Sequence, residues 1–204
     1  MKVNKNIILN RIKDIIKSFS IIYTLYYLVF AFLLYLPISY FILFFLTKSA
    51  EELNFDLQKE LIFNLLGFFL HLTELNKEFW NIKEIIHYTE VRFIYDILFL
   101  IFIFSLILIK IFKINRNDIN KAINKGFLIA HVPLLIIPIF GFFWNNIFHI
   151  VLFNNNFWIL EPTDISFYLF NDYFFIGFII FWYILVFIFY LILKKINKKN
   201  NNLN

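Results

Sequence analysis

His87 and His149 are the residues of this chain best suited to moving protons, and both have carboxylates within reach along the sequence. Glu84, His87 and Glu90 recur at i, i+3 and i+6, a drifting row near one helix face flanked by Tyr88 and Val91. Asp164 follows His149 by 15 positions, just beyond a turn containing Pro162. Imidazole titrates near neutrality and a carboxylate can fix its tautomer, so histidine with carboxylate is the recurrent unit of general acid–base catalysis. Spacing alone equally fits a solvated helix end at His87 and a hydrogen-bonded interfacial anchor at His149. Position joins the two clusters. Each stands at the end of a long apolar run, where stray polarity is expensive and polar groups are functional candidates.

Those runs must position the histidines. The 204-residue chain is 61% hydrophobic, with a mean hydropathy of +0.75. Ile21–Leu46, Phe93–Phe112, Phe127–Phe148 and Phe174–Leu193 are each long enough to cross a bilayer as a helix, which takes about 20 residues. The runs are apolar on every face, which excludes the alternation of a transmembrane barrel. The first exceeds a signal-peptide core and lacks a small-residue cleavage site, so it reads as a retained anchor. The expectation is an all-α integral membrane protein with four transmembrane helices, an outer amphipathic helix and both termini in the cytoplasm. A basic arm covers 1–20, a single four-span domain covers 21–193 with outer loops at 47–92 and 153–173, and a disordered basic tail covers 194–204.

Charge sets the orientation. Of the 19 basic residues, 14 fall in the N-terminal arm, between spans two and three, or in the tail, while 12 of the 14 acids fall on the opposite side. The positive-inside rule puts the basic side in the cytoplasm. This placement explains the net charge of +5 through membrane orientation and anionic lipid rather than nucleic acid. His87 and His149 then share the outer face. His131 lies about 18 residues, roughly 27 Å of helix, from His149 and is excluded from the site. His71 reads as a packing or interface residue on the outer helix, where Leu57, Leu61, Leu65, Phe68, Phe69 and Leu72 form an apolar stripe. Asn81 with Glu84 resembles a capping box opening the helix that enters span two, along which Arg92 and Asp96 are spaced to pair.

Other chemistries fit less well. The chain has no cysteine, hence no disulfide or thiolate nucleophile. His87, His149, Glu84, Glu90 and Asp164 could ligate a metal, but no H-E-x-x-H motif and no close histidine pair exists, so none is assigned. No serine sits in a G-x-S-x-G context, and four glycines cannot form a phosphate loop. Phe157 and Trp158 suit the headgroup layer or a lipid-facing substrate groove.

Two blocks resemble a family of small four-span bacterial membrane proteins, the lipoprotein intramolecular transacylases. Glu84-Ile85-Ile86-His87-Tyr88-Thr89-Glu90-Val91-Arg92 is similar to the family's Glu-x-x-His-x-x-Asp-Val-Lys stretch entering span two. Phe148-His149 through Phe153, then Trp158, Pro162 and Asp164, is similar to its second block, and Asn64 to an asparagine before the first. Glu90 stands for the family's Asp, Arg92 for its Lys, and Asn171-Asp172 for a Pro-Glu pair.

The resemblance implies a reaction at the outer face of the bacterial cytoplasmic membrane. The sn-2 acyl chain of a diacylglyceryl lipoprotein moves to the α-amine of its N-terminal cysteine, giving a lyso-form lipoprotein. No cofactor and no external acyl donor is implied; the partners are the lipoprotein and membrane lipid. His149 would be the general base, oriented by Asp164, although the resemblance allows the two histidines to exchange roles. His87, held by Glu84 or Glu90, would donate to the oxyanion or leaving oxygen, with Arg92 as a second donor. Asn64, Tyr88, Phe153 and Trp158 would contact substrate. The alternatives are another histidine–carboxylate or metal-dependent membrane lipid hydrolase, and a non-catalytic membrane scaffold.

Overall fold

The structure is a computed structural model that describes residues 5–128, 131 and 147–201, with the backbone alone at 5–6, 172 and 197–201. The described residues are helical and contain no strand. In chain order the helices are α1 (Lys5–Tyr35), α2 (Pro37–Thr47), α3 (Phe55–Phe69), α4 (Ile82–Ile111), α5 (Arg116–Lys121, running into a π-helical turn at Ala122–Gly126), α6 (His149–Leu152), α7 (Ile165–Leu169) and α8 (Asp172–Asn201). Three described helices, Ile7–Tyr35, Ile82–Ile111 and Tyr173–Ile196, are long and apolar enough to cross a membrane. Large apolar side chains on them face outward, among them Phe32, Phe93, Leu100, Phe104, Ile180 and Phe187, as hydrocarbon contact requires. The chain is an integral membrane protein. Most of the run 127–148, with Pro133, Pro138 and Gly141, lies outside the described residues.

The helix boundaries differ from the sequence expectation for identifiable reasons. The apolar run 21–46 is carried by two helices rather than one. Pro37 forces Leu36 out of the helical region, to φ −95° and ψ 110°, and itself serves as the first residue of α2. The N-terminal arm is no separate element, because α1 begins at Lys5 and continues through it. At the other end α8 continues through the described part of the expected tail, to Asn201.

Packing divides the chain into two units. The first comprises Met1–Val29, Leu98–Ile136 and Tyr183–Asn204. Its packing is aromatic: Tyr27 stacks on Phe102 at 4.6 Å and Phe127 on Tyr190 at 4.5 Å. Lys17 pairs with Asp118 at 3.0 Å, and Asp118 closes a capping box with Asn115 that starts α5. His131 belongs to this unit, where the Tyr26 hydroxyl lies 2.9 Å from its Nδ1.

The second unit, Phe30–Ile97 and Ile137–Trp182, carries the main core. The stripe read as an outer amphipathic helix is α3, and it is a core helix. Leu61, Ile62, Leu65, Leu66, Phe68 and Phe69 are buried against Tyr40, Leu43 and Phe44 of α2, with Trp80, Tyr88, Leu169, Phe170 and Phe174 completing the cluster. Leu72 falls beyond the end of α3 and is 75% exposed, so it leaves the stripe. The Asn54 side chain caps α3 through the Leu57 N–H at 2.9 Å. Asn171 caps α8 through the Phe174 N–H and also accepts from Ser49 Oγ at 2.7 Å. This one residue thus starts one helix and ties it to the turn after α2. Gly177 lets α8 approach α2, since a Cβ there would lie 2.8 Å from the Thr47 methyl. Leu61 is fully buried, so Leu61→Ala should destabilise the protein by roughly 2–5 kcal/mol through lost burial and a residual cavity. Thermal unfolding in detergent should show a matching fall in Tm.

Candidate active site

The helix that carries His87 is set by its first turn. The Glu84 N–H donates to Asn81 Oδ1 and the Asn81 N–H to Glu84 Oε2, each at 3.0 Å, forming the capping box suggested by the sequence. Glu84 Oε1 accepts twice more, from the Ser166 N–H at 2.8 Å and Ser166 Oγ at 2.6 Å. The Tyr88 hydroxyl lies 2.8 Å from the same Ser166 Oγ. Glu84, Tyr88 and Ser166 are all buried, so this network locks the first turns of α4 to the start of α7.

Asp164, one residue before α7, is 1% exposed and fully engaged. Its Oδ1 accepts from Asn81 Nδ2 at 2.8 Å; its Oδ2 accepts from the Glu161 N–H at 2.7 Å and Lys83 Nζ at 3.1 Å. Lys83 also reaches Glu161 at 3.3 Å. A cavity of about 590 Å³ opens here, lined by Lys77, Trp80, Asn81, Lys83, Glu161 and Asp164 among others.

The histidines come together around one ring. Phe153, buried at the end of α6, meets the His87 imidazole edge-on at 4.9 Å and stacks with His149 at 5.8 Å. Trp158 stacks on His149 in turn, at 4.6 Å with 16° between the planes. Glu90, one turn beyond His87, accepts from Asn155 Nδ2 at 2.7 Å. His87 Nδ1 and Glu90 Oε2 are buried and have no hydrogen-bond partner. A second cavity of about 370 Å³ opens beside these rings, lined by Ile150, Phe153, Asn154, Asn155, Asn156 and Trp158.

This arrangement corrects several expected pairings. Asp164 does not orient His149, because its two oxygens are committed to Asn81, Lys83 and the Glu161 N–H. Glu84 does not hold His87, because it is committed to Asn81 and Ser166. Glu90 does not hold it through Nδ1, which is unpaired. Arg92 does not pair with Asp96. Its guanidinium lies 3.9 Å over the Phe68 ring and donates to the Phe68 carbonyl at 3.3 Å, while Asp96 pairs with His71 at 2.9 Å. Asn64 does structural work: Oδ1 accepts from the Asn76 N–H and Trp80 Nε1, and Nδ2 donates to the Glu74 carbonyl, organising the 70–81 loop. Ser166, Lys83 and Asn155 were not singled out from the sequence. Only Asn155 had a signal, the polar triplet 154–156 within an aromatic stretch. Among the described residues no group of three or more His, Asp and Glu is placed to hold a metal.

Chemically, the site offers two imidazoles of different setting on either side of an aromatic ring. His149 is oriented by a face-to-face indole. His87 presents an unpaired nitrogen, and Glu90, one turn further along α4, an unpaired carboxylate oxygen. Such a pair can accept a proton at one point and return it at another without either structural carboxylate changing its partners.

No protein-family model and no curated protein matches the sequence. Among solved structures the chain matches the membrane integral lipoprotein intramolecular transacylase Lit from Bacillus cereus, with a TM-score of 0.72 and 18% identity over 94% of this chain and 98% of that one.

Asp164 gives this scaffold a pH signature. Burial pushes its carboxyl up, but the Glu161 N–H, Asn81 and Lys83 outweigh that and hold it below the ordinary 3.8. A carboxyl with a depressed folded-state pKa stabilises the fold fully above its unfolded pKa, and that stability disappears as pH falls through the folded value. Asp164→Asn should therefore lower Tm most near neutrality, with the difference from wild type narrowing below about pH 4. Parallel melts between pH 3 and pH 7 check this. An equal difference at every pH would assign the loss to packing instead. The chain thus shares the fold of the membrane integral lipoprotein intramolecular transacylase Lit.

Proposed function

We propose that this protein is a lipoprotein intramolecular transacylase. The reading is carried by one observation: His87 from α4 and His149 from α6 converge on the ring of Phe153 within this fold. The substrate is a membrane lipoprotein whose N-terminal cysteine bears a thioether-linked diacylglyceryl group and a free α-amine. The amine attacks the sn-2 ester carbonyl. Carbon–oxygen cleavage then leaves a lyso-form lipoprotein, N-acylated and S-monoacylglycerylated.

Amine and ester belong to one molecule, so holding them in contact supplies much of the acceleration. The amine nitrogen must lose a proton and the departing glycerol oxygen must gain one. The two imidazoles divide that work, and no cofactor or second acyl donor enters. Trp158 and Phe153 orient the rings and, with Tyr88 and the outward apolar faces, accommodate the lipid. We place the site on the outer face of the bacterial cytoplasmic membrane, in a four-span chain with both termini in the cytoplasm, on the strength of the charge asymmetry.

The test is mass spectrometry of a lipoprotein N-terminal peptide from a bacterial host lacking N-acylation, with and without this gene. Transfer leaves the total mass equal and shifts one acyl chain to the α-amine. An unchanged diacylglyceryl peptide, with the protein present in the membrane, would exclude the reading. His87→Ala and His149→Ala should each lower transfer by about 100-fold or more, the usual worth of acid–base catalysis, with membrane levels unchanged.

A further inference from the structure

His87 Nδ1 and Glu90 Oε2 are both buried and both without a hydrogen-bond partner, and with the imidazole proton on Nε2 both are acceptors. They lie three residues apart on α4, a spacing that makes side chains neighbours on a helix surface. A buried carboxylate oxygen left unpaired is costly, so its geometry must be imposed from outside. Asn155 imposes it. Its Oδ1 accepts from the Phe157 N–H at 2.9 Å, which fixes the amide orientation, and its Nδ2 then donates to Glu90 Oε1 at 2.7 Å. One carboxylate oxygen is pinned and the other is left unpaired, one helical turn from the imidazole.

Two unpaired acceptors three residues apart on one helix face suit a ligand with at least two N–H donors. A developing oxyanion is the wrong partner, because a carboxylate would repel it. We propose that Glu90, held by Asn155, forms with His87 a site for a free primary amine, the α-amine of the substrate's N-terminal cysteine. The proposal rests on the transacylase reading and assigns its two histidines. His87 works at the nitrogen, and His149, across the Phe153 ring, works at the glycerol oxygen. The nitrogen forms its bond to the sn-2 carbonyl carbon, the bond from that carbon to the glycerol oxygen breaks, and the proton lost by nitrogen is matched by the one the glycerol oxygen gains. Asn155 acts through Glu90 and is a positioning residue.

Two unreactive probes test this: dialkylglyceryl ether analogues of the lipopeptide, one with a free α-amine and one N-acetylated. Their Kd values are measured on the full-length protein in lipid nanodiscs. Wild type should bind the free-amine probe about tenfold or more tightly than the acetylated one, the scale of a charge-assisted hydrogen bond. Glu90→Gln and Asn155→Ala should each reduce that ratio to about two or less, with the Kd of the acetylated probe unchanged. A merely structural role for Asn155 would weaken both probes equally and would overturn its assignment. Should Glu90→Gln fail to accumulate, the ratio in Asn155→Ala decides alone. The ester-linked lipopeptide, assayed in parallel by mass spectrometry, separates the two levels of argument. Wild-type transfer with an unchanged ratio in both variants overturns this proposal alone; absence of wild-type transfer removes the transacylase reading and this proposal with it.

Discussion

The buried Glu84 carboxylate is the constraint from which the rest of the second unit follows. Three donors converge on its two oxygens, and it serves them by splitting the work. One oxygen closes the first turn of α4, and the other takes both the backbone and the hydroxyl of Ser166. Buried charge is tolerable only when saturated in this way. Because Ser166 lies in the first turn of α7, the same carboxylate fixes the loop that delivers Asp164 back to Asn81 and Lys83. The depth and rotation of α4 are thereby set, and with them the direction in which His87 and Glu90 point.

In the candidate site the structural carboxylates are kept apart from the imidazoles. Glu84 and Asp164 hold the scaffold, with their oxygens committed to other donors than the histidines. Aromatic rings take over the orienting role that a carboxylate plays in a catalytic triad. His149 lies nearly parallel to Trp158 and His87 meets the edge of Phe153. At a membrane interface this division is physically sensible, since indole and phenyl rings fix geometry without adding charge that lipid would have to solvate. Glu90 is the exception, with one oxygen held by Asn155 and one without a partner.

The legible parts of the site were local ones. Asn81 and Glu84 are three residues apart, and a capping box forms within one turn whatever surrounds it. Pro37 acts as locally: it lacks an N–H and pushes Leu36 out of the helical region, which separates α1 from α2. The α3 stripe was visible as periodicity, yet periodicity does not say whether an apolar face meets lipid or protein, and here it meets the core. Arg92 and Asp96 are spaced to pair but diverge, because Phe68 offers the guanidinium a ring and a carbonyl together while His71 is turned toward Asp96.

The sequence by itself determined the solvent and the class of fold: long apolar runs can satisfy their backbone in hydrocarbon only as helices. It also determined which side chains could do acid–base chemistry, because so few titratable groups border those runs. Only the tertiary structure decided who pairs with whom. Ser166 reaches Glu84 across 82 residues and Asn155 reaches Glu90 across 65, and such bonds depend on how elements stack rather than on spacing along any one of them. A buried carboxylate takes the donors that packing brings nearest, and for Glu84 and Asp164 those were not the histidines that the sequence placed beside them.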